Sequence, residues 1–159
     1  MEPLSIAAAI ISIAKTCGTV GWELKQFVDG AKLAGTVINV LLQDVEGFQK
    51  ILEQINQILK DPGIKDTVSS SGLVGSHWAN LKTCLDDATD TINSLEATIV
   101  GINKTVTVLD SARKHIRLKS ASNTIALYQQ QIRSYKDTIY VSLHTAILYV
   151  PLAQQFNQG

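Results

Sequence analysis

The chain has 159 residues, 45% of them apolar and 18% charged, with a single methionine and ten glycines. That balance suits one domain with a sizeable core and argues against a disordered tail. Fourteen basic residues balance fourteen acidic ones, so net charge singles out no class of partner.

Residues 3–29 form the first predicted helix and the most informative stretch. Pro3 suits the first helical position, and Glu2 lies favourably against the helix dipole. From Leu4 to Ala14 there is no charge. At about 100° per residue, Ile6, Ile10, Ile13, Cys17, Val20, Leu24 and Val28 share one face, an ordinary core stripe. Leu4, Ile11 and Trp22 fall nearly opposite, and only Ser5 and Ser12 make a narrow polar strip. A helix apolar on two faces is either buried at the centre of a bundle or bound for another apolar medium. Eleven uncharged residues span about 17 Å, well short of the roughly 30 Å hydrocarbon core of a bilayer. The segment is therefore no constitutive anchor, and the pattern leaves central burial and conditional insertion both open. Gly18 and Gly21 permit a bend or a close helix approach.

The second predicted helix, about residues 32–60, carries Val37, Leu41, Val45, Phe48, Leu52, Ile55 and Leu59 on one stripe. Asp61-Pro62-Gly63 stops it, and a Ser/Gly-rich loop is expected to about Ser76. A third helix repeats the spacing with Trp78, Leu81, Leu85, Ala88, Ile92, Leu95 and Ile99. Thr105-Val106-Thr107-Val108 is β-branched, but a lone strand has nothing to pair with. It reads as distorted helix or connector leading into a helical segment, Asp110–Lys119. The last long helix, about Ser122 to Val150, shows Ile125, Tyr128, Ile132, Tyr135, Ile139, Leu143, Ala146 and Val150. Ser120 or Ser122 is the expected N-cap, and Pro151 is expected just past the end. These stripes predict an all-α fold, an antiparallel helical bundle of about four to five helices forming one domain over residues 1–159.

Charge is unevenly placed. Residues 111–159 hold Arg113, Lys114, Arg117, Lys119, Arg133 and Lys136 against Asp137 alone, a balance of +5 that leaves −5 on residues 1–110. Such asymmetry points to pairing between helices or to an anionic surface. Cys17 and Cys84 stand far apart without metal-ligand spacing, so free, buried thiols and a reducing compartment are expected, although sequence alone leaves a bridge open. No secretory signal is expected, because Met1-Glu2-Pro3 lacks a basic start. The sequon Asn103-Lys104-Thr105 then carries no meaning.

No enzyme constellation emerges. Gly72 and Gly75 belong to no phosphate-binding loop. His77, His115 and His144 are isolated from one another and from the cysteines. Asp86, Asp87 and Asp90 read as a solvated helix face, and the serines at 69–71 lack a nucleophile-elbow context. Tyr128 and Tyr135 belong to a core stripe rather than to a nucleic-acid platform. No catalysis, metal, cofactor or nucleic acid is expected.

The opening Met1-Glu2-Pro3-Leu4-Ser5-Ile6-Ala7-Ala8-Ala9-Ile10 resembles the start of the fungal HeLo-like domain, which heads many fungal STAND (NOD-like receptor) proteins and related cell-death effectors. Those chains typically begin M-D/E-P-L/A-S-I/V-A-A/S-x-I. Val45-Glu46-Gly47-Phe48 with Ile51-Leu52, and Arg117-Leu118-Lys119 followed by Ile132, Tyr135-Lys136, Ile139 and Leu143, are similar to its later segments. Ser120-Ala121-Ser122-Asn123 departs from the aromatic and charged residues usual there. The resemblance implies a bundle related to the HeLo domain of the HET-S system, and similar in architecture to the executioner domain of the mixed-lineage-kinase-like pseudokinase. It implies a cytoplasmic effector, the N-terminal part of a longer protein or else a short stand-alone relative, that oligomerises with itself and moves to the plasma membrane to permeabilise it in programmed cell death. An attached or partner receptor, or an amyloid signalling segment, would trigger it. The membrane-active element would be the first helix, with Leu4, Ile6, Ile10, Ile11, Ile13 and Trp22. Arg113, Lys114, Arg117 and Lys119 are the expected contacts to anionic lipid. A helical protein–protein interaction module without membrane activity is the alternative.

Overall fold

The computed structural model describes residues 3–30, 35–63, 72–106 and 111–157, with side chains described at 6–26, 37–63, 79–102, 116, 117 and 119–142. The described residues form four long helices and no strand: α1 Pro3–Gly30, α2 Gly35–Leu59, α3 Gly72–Val106 and α4 Ser111–Asn157. The expected all-helical bundle is what the chain forms.

Each helix buries the stripe its spacing defines. Ile6, Ile10, Ile13, Cys17, Val20 and Leu24 of α1 meet Leu41, Val45, Phe48, Leu52 and Ile55 of α2. Leu85, Ala88, Ile92, Leu95 and Ile99 of α3 and Ile125, Ile132 and Ile139 of α4 complete the same core. Full burial of each such isoleucine or leucine contributes roughly 1.5–3 kcal/mol. Tyr128 and Tyr135 pack against this core while half-buried. Val28, Trp78, Leu143, Ala146 and Val150 lie outside the described side chains.

The principal packing pairs are α1 with α2, α3 with α4, α1 with α3, and α2 with α4. Consecutive helices are antiparallel. Gly18 faces Gln49 and Gly21 faces Leu42 between α1 and α2. Thr91 meets Gln131 and Tyr135 between α3 and α4, while the later Gly101 shares a cleft with the earlier Arg117. By contrast, α2 and α4 run in the same sense. Asp44 bonds Gln129 and Arg133, and three residues on, Gly47 lies beneath the Lys136 side chain. The bundle is thus two antiparallel hairpins, α1–α2 and α3–α4, laid side by side.

Five details differ from expectation. From Ser111 on, the segment expected at Asp110–Lys119 and the last helix are one helix, α4, while Asp110 lies outside the described residues. Ser122 is no N-cap: its Oγ donates to the Lys119 carbonyl at 2.8 Å, the way a serine is accommodated inside a helix. Ser120 likewise lies within α4, and so does Pro151, whose fixed φ is compatible with helix although its ring forfeits a hydrogen bond. At the start of α3, helix begins at Gly72, within the stretch expected to be loop, since glycine weakens a helix without forbidding it. Finally, Val37 is 55% exposed and Ile38 takes the core position. Both lie within about 60° of the stripe's centre, so only the neighbouring helices decide between them.

Other details agree. α2 stops at Leu59, and the chain turns as Gly63 N–H donates to Asp61 Oδ1 at 2.8 Å. Helix persists through Val106, so the first half of the β-branched run is helical, and 107–110 lie outside the described residues. Cys17 and Cys84 are free and buried.

Candidate functional site

The first helix separates its two apolar faces cleanly. Ile6, Ile10 and Ile13 are at most 1% exposed, whereas Ile11 is 53% and Trp22 59% exposed. Ile11 and Trp22 are eleven residues apart, three turns, and so lie on one outward strip within about 20°. Ala8 and Lys15 are exposed on the same strip. Central burial of the whole helix is therefore ruled out, because α1 covers the core with one face and shows the other to solvent. Of the six side chains expected to act at a membrane, three are core, two are displayed, and Leu4 lies outside the described side chains.

The helix runs unbroken through Gly18 and Gly21, neither of which has a positive φ. A Cβ at Gly18 would lie 3.5 Å from Gln49 Nε2, and one at Gly21 would lie 3.8 Å from Leu42 Cδ1. Both are ordinary contacts, so neither glycine is required for helix approach. Lys25 and Glu46 pair at 3.0 Å between α1 and α2, but both are well exposed, and such a pair adds less than about 1 kcal/mol. No helix among the described residues is long and apolar enough to cross a membrane.

The basic segment divides. Arg133 Nε donates to Asp44 Oδ2 at 3.0 Å, and Gln129 Nε2 donates to the same oxygen at 2.8 Å. Part of the charge asymmetry is therefore helix-to-helix pairing. Arg117 and Lys119 are exposed instead, and Arg113 and Lys114 lie outside the described side chains. Arg117 also lines a cleft of about 440 Å³ between α3 and α4, with Thr98, Gly101, Ile102, Ser120 and Ala121.

Other chemistry-bearing groups are engaged structurally. Burial pushes the Cys17 thiol up to about 12 and the Cys84 thiol up to about 11, the latter helped by the Asp87 charge. Thr91, buried in the α3–α4 seam, lies 3.0 Å from Tyr135 OH and 3.3 Å from Gln131 Oε1. Asp86 pairs with Lys82 along α3. Among the described residues no group of three or more histidine, cysteine or carboxylate side chains is placed to hold a metal; the three histidines lie outside the described side chains.

One feature escaped the reading of the sequence. Ile116, Leu127, Tyr140 and Val141 of α4 are all more than half exposed. The signal was present: none of the four falls on the Ile125–Ile132–Ile139 stripe.

These features define a helical-bundle domain whose N-terminal helix buries one apolar face and displays Ile11 and Trp22, beside Lys15, on the other. Over residues 1–157 the chain matches the family described as pigment biosynthesis cluster protein PigL N-terminal, and it belongs to that family. No curated protein and no solved structure matches the chain significantly.

Proposed function

We propose that the domain is a cytoplasmic cell-death effector of the HeLo-like, NOD-like-receptor-linked kind, which permeabilises the plasma membrane when clustered. The observation that carries this reading is the outward strip of α1, where Ile11 and Trp22 remain in water opposite a fully buried stripe. In lipid, the apolar residues of the outward strip and the core stripe are both satisfied, with Lys15 reaching to the headgroups. In the bundle only one is. The exchange is close to balanced, because Ile6, Ile10 and Ile13 each gain roughly 1.5–3 kcal/mol in either apolar medium. Clustering by an attached receptor or amyloid segment tips such a balance when several short helices insert together. Arg113, Lys114, Arg117 and Lys119 supply attraction to anionic headgroups, at about 1 kcal/mol per residue near the surface.

Dye release from vesicles, with the domain fused to an inducible dimeriser, tests this. Native protein should empty anionic vesicles on dimerisation, less so neutral ones or at high salt. Ile11→Asp should change folding stability by no more than about 1 kcal/mol yet abolish release, because a carboxylate in the bilayer costs at least about 2.5–3.5 kcal/mol per chain. Ile10→Asp should damage both properties, since it leaves an unpaired charge in the core. An Ile11→Asp protein that folds normally and still releases dye removes the membrane role of α1.

A helical interaction module is the competing reading, and the exposed apolar residues of α4 favour it. It expects partner binding without dye release from any vesicle. The family description names a biosynthesis cluster and assigns no reaction to the N-terminal domain.

A further inference from the structure

The outward face of α4 carries a pattern that core packing does not explain. Opposite Ile125, Ile132 and Ile139, the side chains of Ile116, Asn123, Leu127, Gln130, Ser134 and Val141 are all exposed. At about 100° per residue they fall within a strip about 60° wide and about 38 Å long. None is charged, and Ile116, Leu127 and Val141 are 64%, 52% and 64% exposed.

The strip is self-complementary when reversed. Turn α4 end over end about the point midway between Tyr128 and Gln129, and Ile116 falls on Val141 while Asn123 falls on Ser134. Leu127 and Gln130 each fall beside their own copies near the axis. The edges agree as well. In an antiparallel pair related by a two-fold axis perpendicular to both helices, each edge of one helix meets the same edge of the other. Lys119 and Asp137, both exposed, share one edge and come level to within about 1.5 Å. Ser120 and Thr138 do the same on the other edge. Aliphatic thus meets aliphatic, polar meets polar, and a cation meets a carboxylate at both ends.

We propose that this face of α4 is an isologous interface with a second copy of the chain, antiparallel, with Lys119 of each copy paired to Asp137 of the other. A strip one helix wide buries less than the roughly 800 Å² per partner of stable complexes. The contact is therefore weak and forms when copies are brought together. Arg117, on the α3 side of the strip, stays free of it for anionic lipid. The inference deepens the oligomerisation step of the proposed function, but its test contains no lipid, so either can fail without the other.

Analytical ultracentrifugation of the native domain should show concentration-dependent dimerisation. Leu127→Arg should weaken it at least about tenfold, because two like charges then meet at the axis. Lys119→Asp and Asp137→Lys should each weaken it about threefold or more, and the double exchange should return it to within about twofold of native. Mild oxidation of an Asn123→Cys and Ser134→Cys mixture should give the mixed disulfide dimer, with little from either variant alone. Cys17 and Cys84 are buried and do not interfere. A native protein that stays monomeric at millimolar concentration, a double exchange that does not recover, or Asn123→Cys linking chiefly to itself would each overturn the interface.

Discussion

Cys17 lies in the core between α1 and its neighbours, and burial holds its proton until about pH 12 against an ordinary value of 9.0. Cys84 is held to about 11. The unfolded chain releases both protons earlier, so between about 9 and 12 the native state binds more protons than the unfolded one. Stability from these thiols is therefore complete below pH 9 and falls as pH rises through that window. The midpoint of urea unfolding should drop from pH 8.5 to 10.5, and the drop should be smaller in Cys17→Ala than in native protein. At pH 8 a thiol reagent should label both cysteines only at the rate of unfolding, since neither thiolate is exposed. Fast labelling in the native state would contradict the burial of either residue.

At the scale of single helices, α2 and α3 differ in how tightly their glycines are held. A Cβ at Gly101 of α3 would meet nothing within 4 Å, whereas one at Gly47 of α2 would lie 3.1 Å from Lys136 Nζ. Gly101→Ala should therefore gain the full helix-propensity difference of about 0.8–1 kcal/mol. That corresponds to a rise in melting temperature of about 2–4 °C in a domain of this size, read by circular dichroism. Gly47→Ala must displace a lysine end that carries part of the α2–α4 contact, so its gain should be smaller. Equal gains at the two positions would mean that Lys136 contributes nothing by lying over α2.

For the whole molecule, the question is what fixes one hairpin against the other. Apolar burial supplies the energy, but it is non-directional. Register between α2 and α4 comes from Asp44, 14% exposed at its side chain, which accepts from both Gln129 and Arg133. Arg133 itself is mostly exposed, which discounts the Coulomb part. Asp44→Ala should cost about 1–2 kcal/mol in urea unfolding, chiefly through the lost hydrogen bonds. Amide exchange in α2 and α4 should accelerate together. An effect confined to α2 would show that Asp44 does not join the hairpins.

The sequence determined the helical class and the stripes from Ile6 to Leu24, Leu41 to Leu59 and Leu81 to Ile99. Each rests on periodicity, which is a local property of the chain. The free state of Cys17 and Cys84, with a bridge left open by spacing, came from the structure. The sequence also showed that α1 has two apolar faces and put Ile10 on the core stripe and Ile11 opposite. It did not show whether the second face is covered as well, because a wheel records angles within a helix and nothing about its neighbours. That Ile11 and Trp22 stay in water, and that Ile38 rather than Val37 enters the core, depended on where other helices lie. The continuity of α4 through Ser120 and Ser122 was missed for a related reason: a serine caps a helix or bonds back within one according to whether the residues before it are already helical. The parallel pairing of α2 with α4 depended on Asp44 meeting residues 85 and 89 positions away. No local pattern encodes a contact at that separation, so only the tertiary structure decided it.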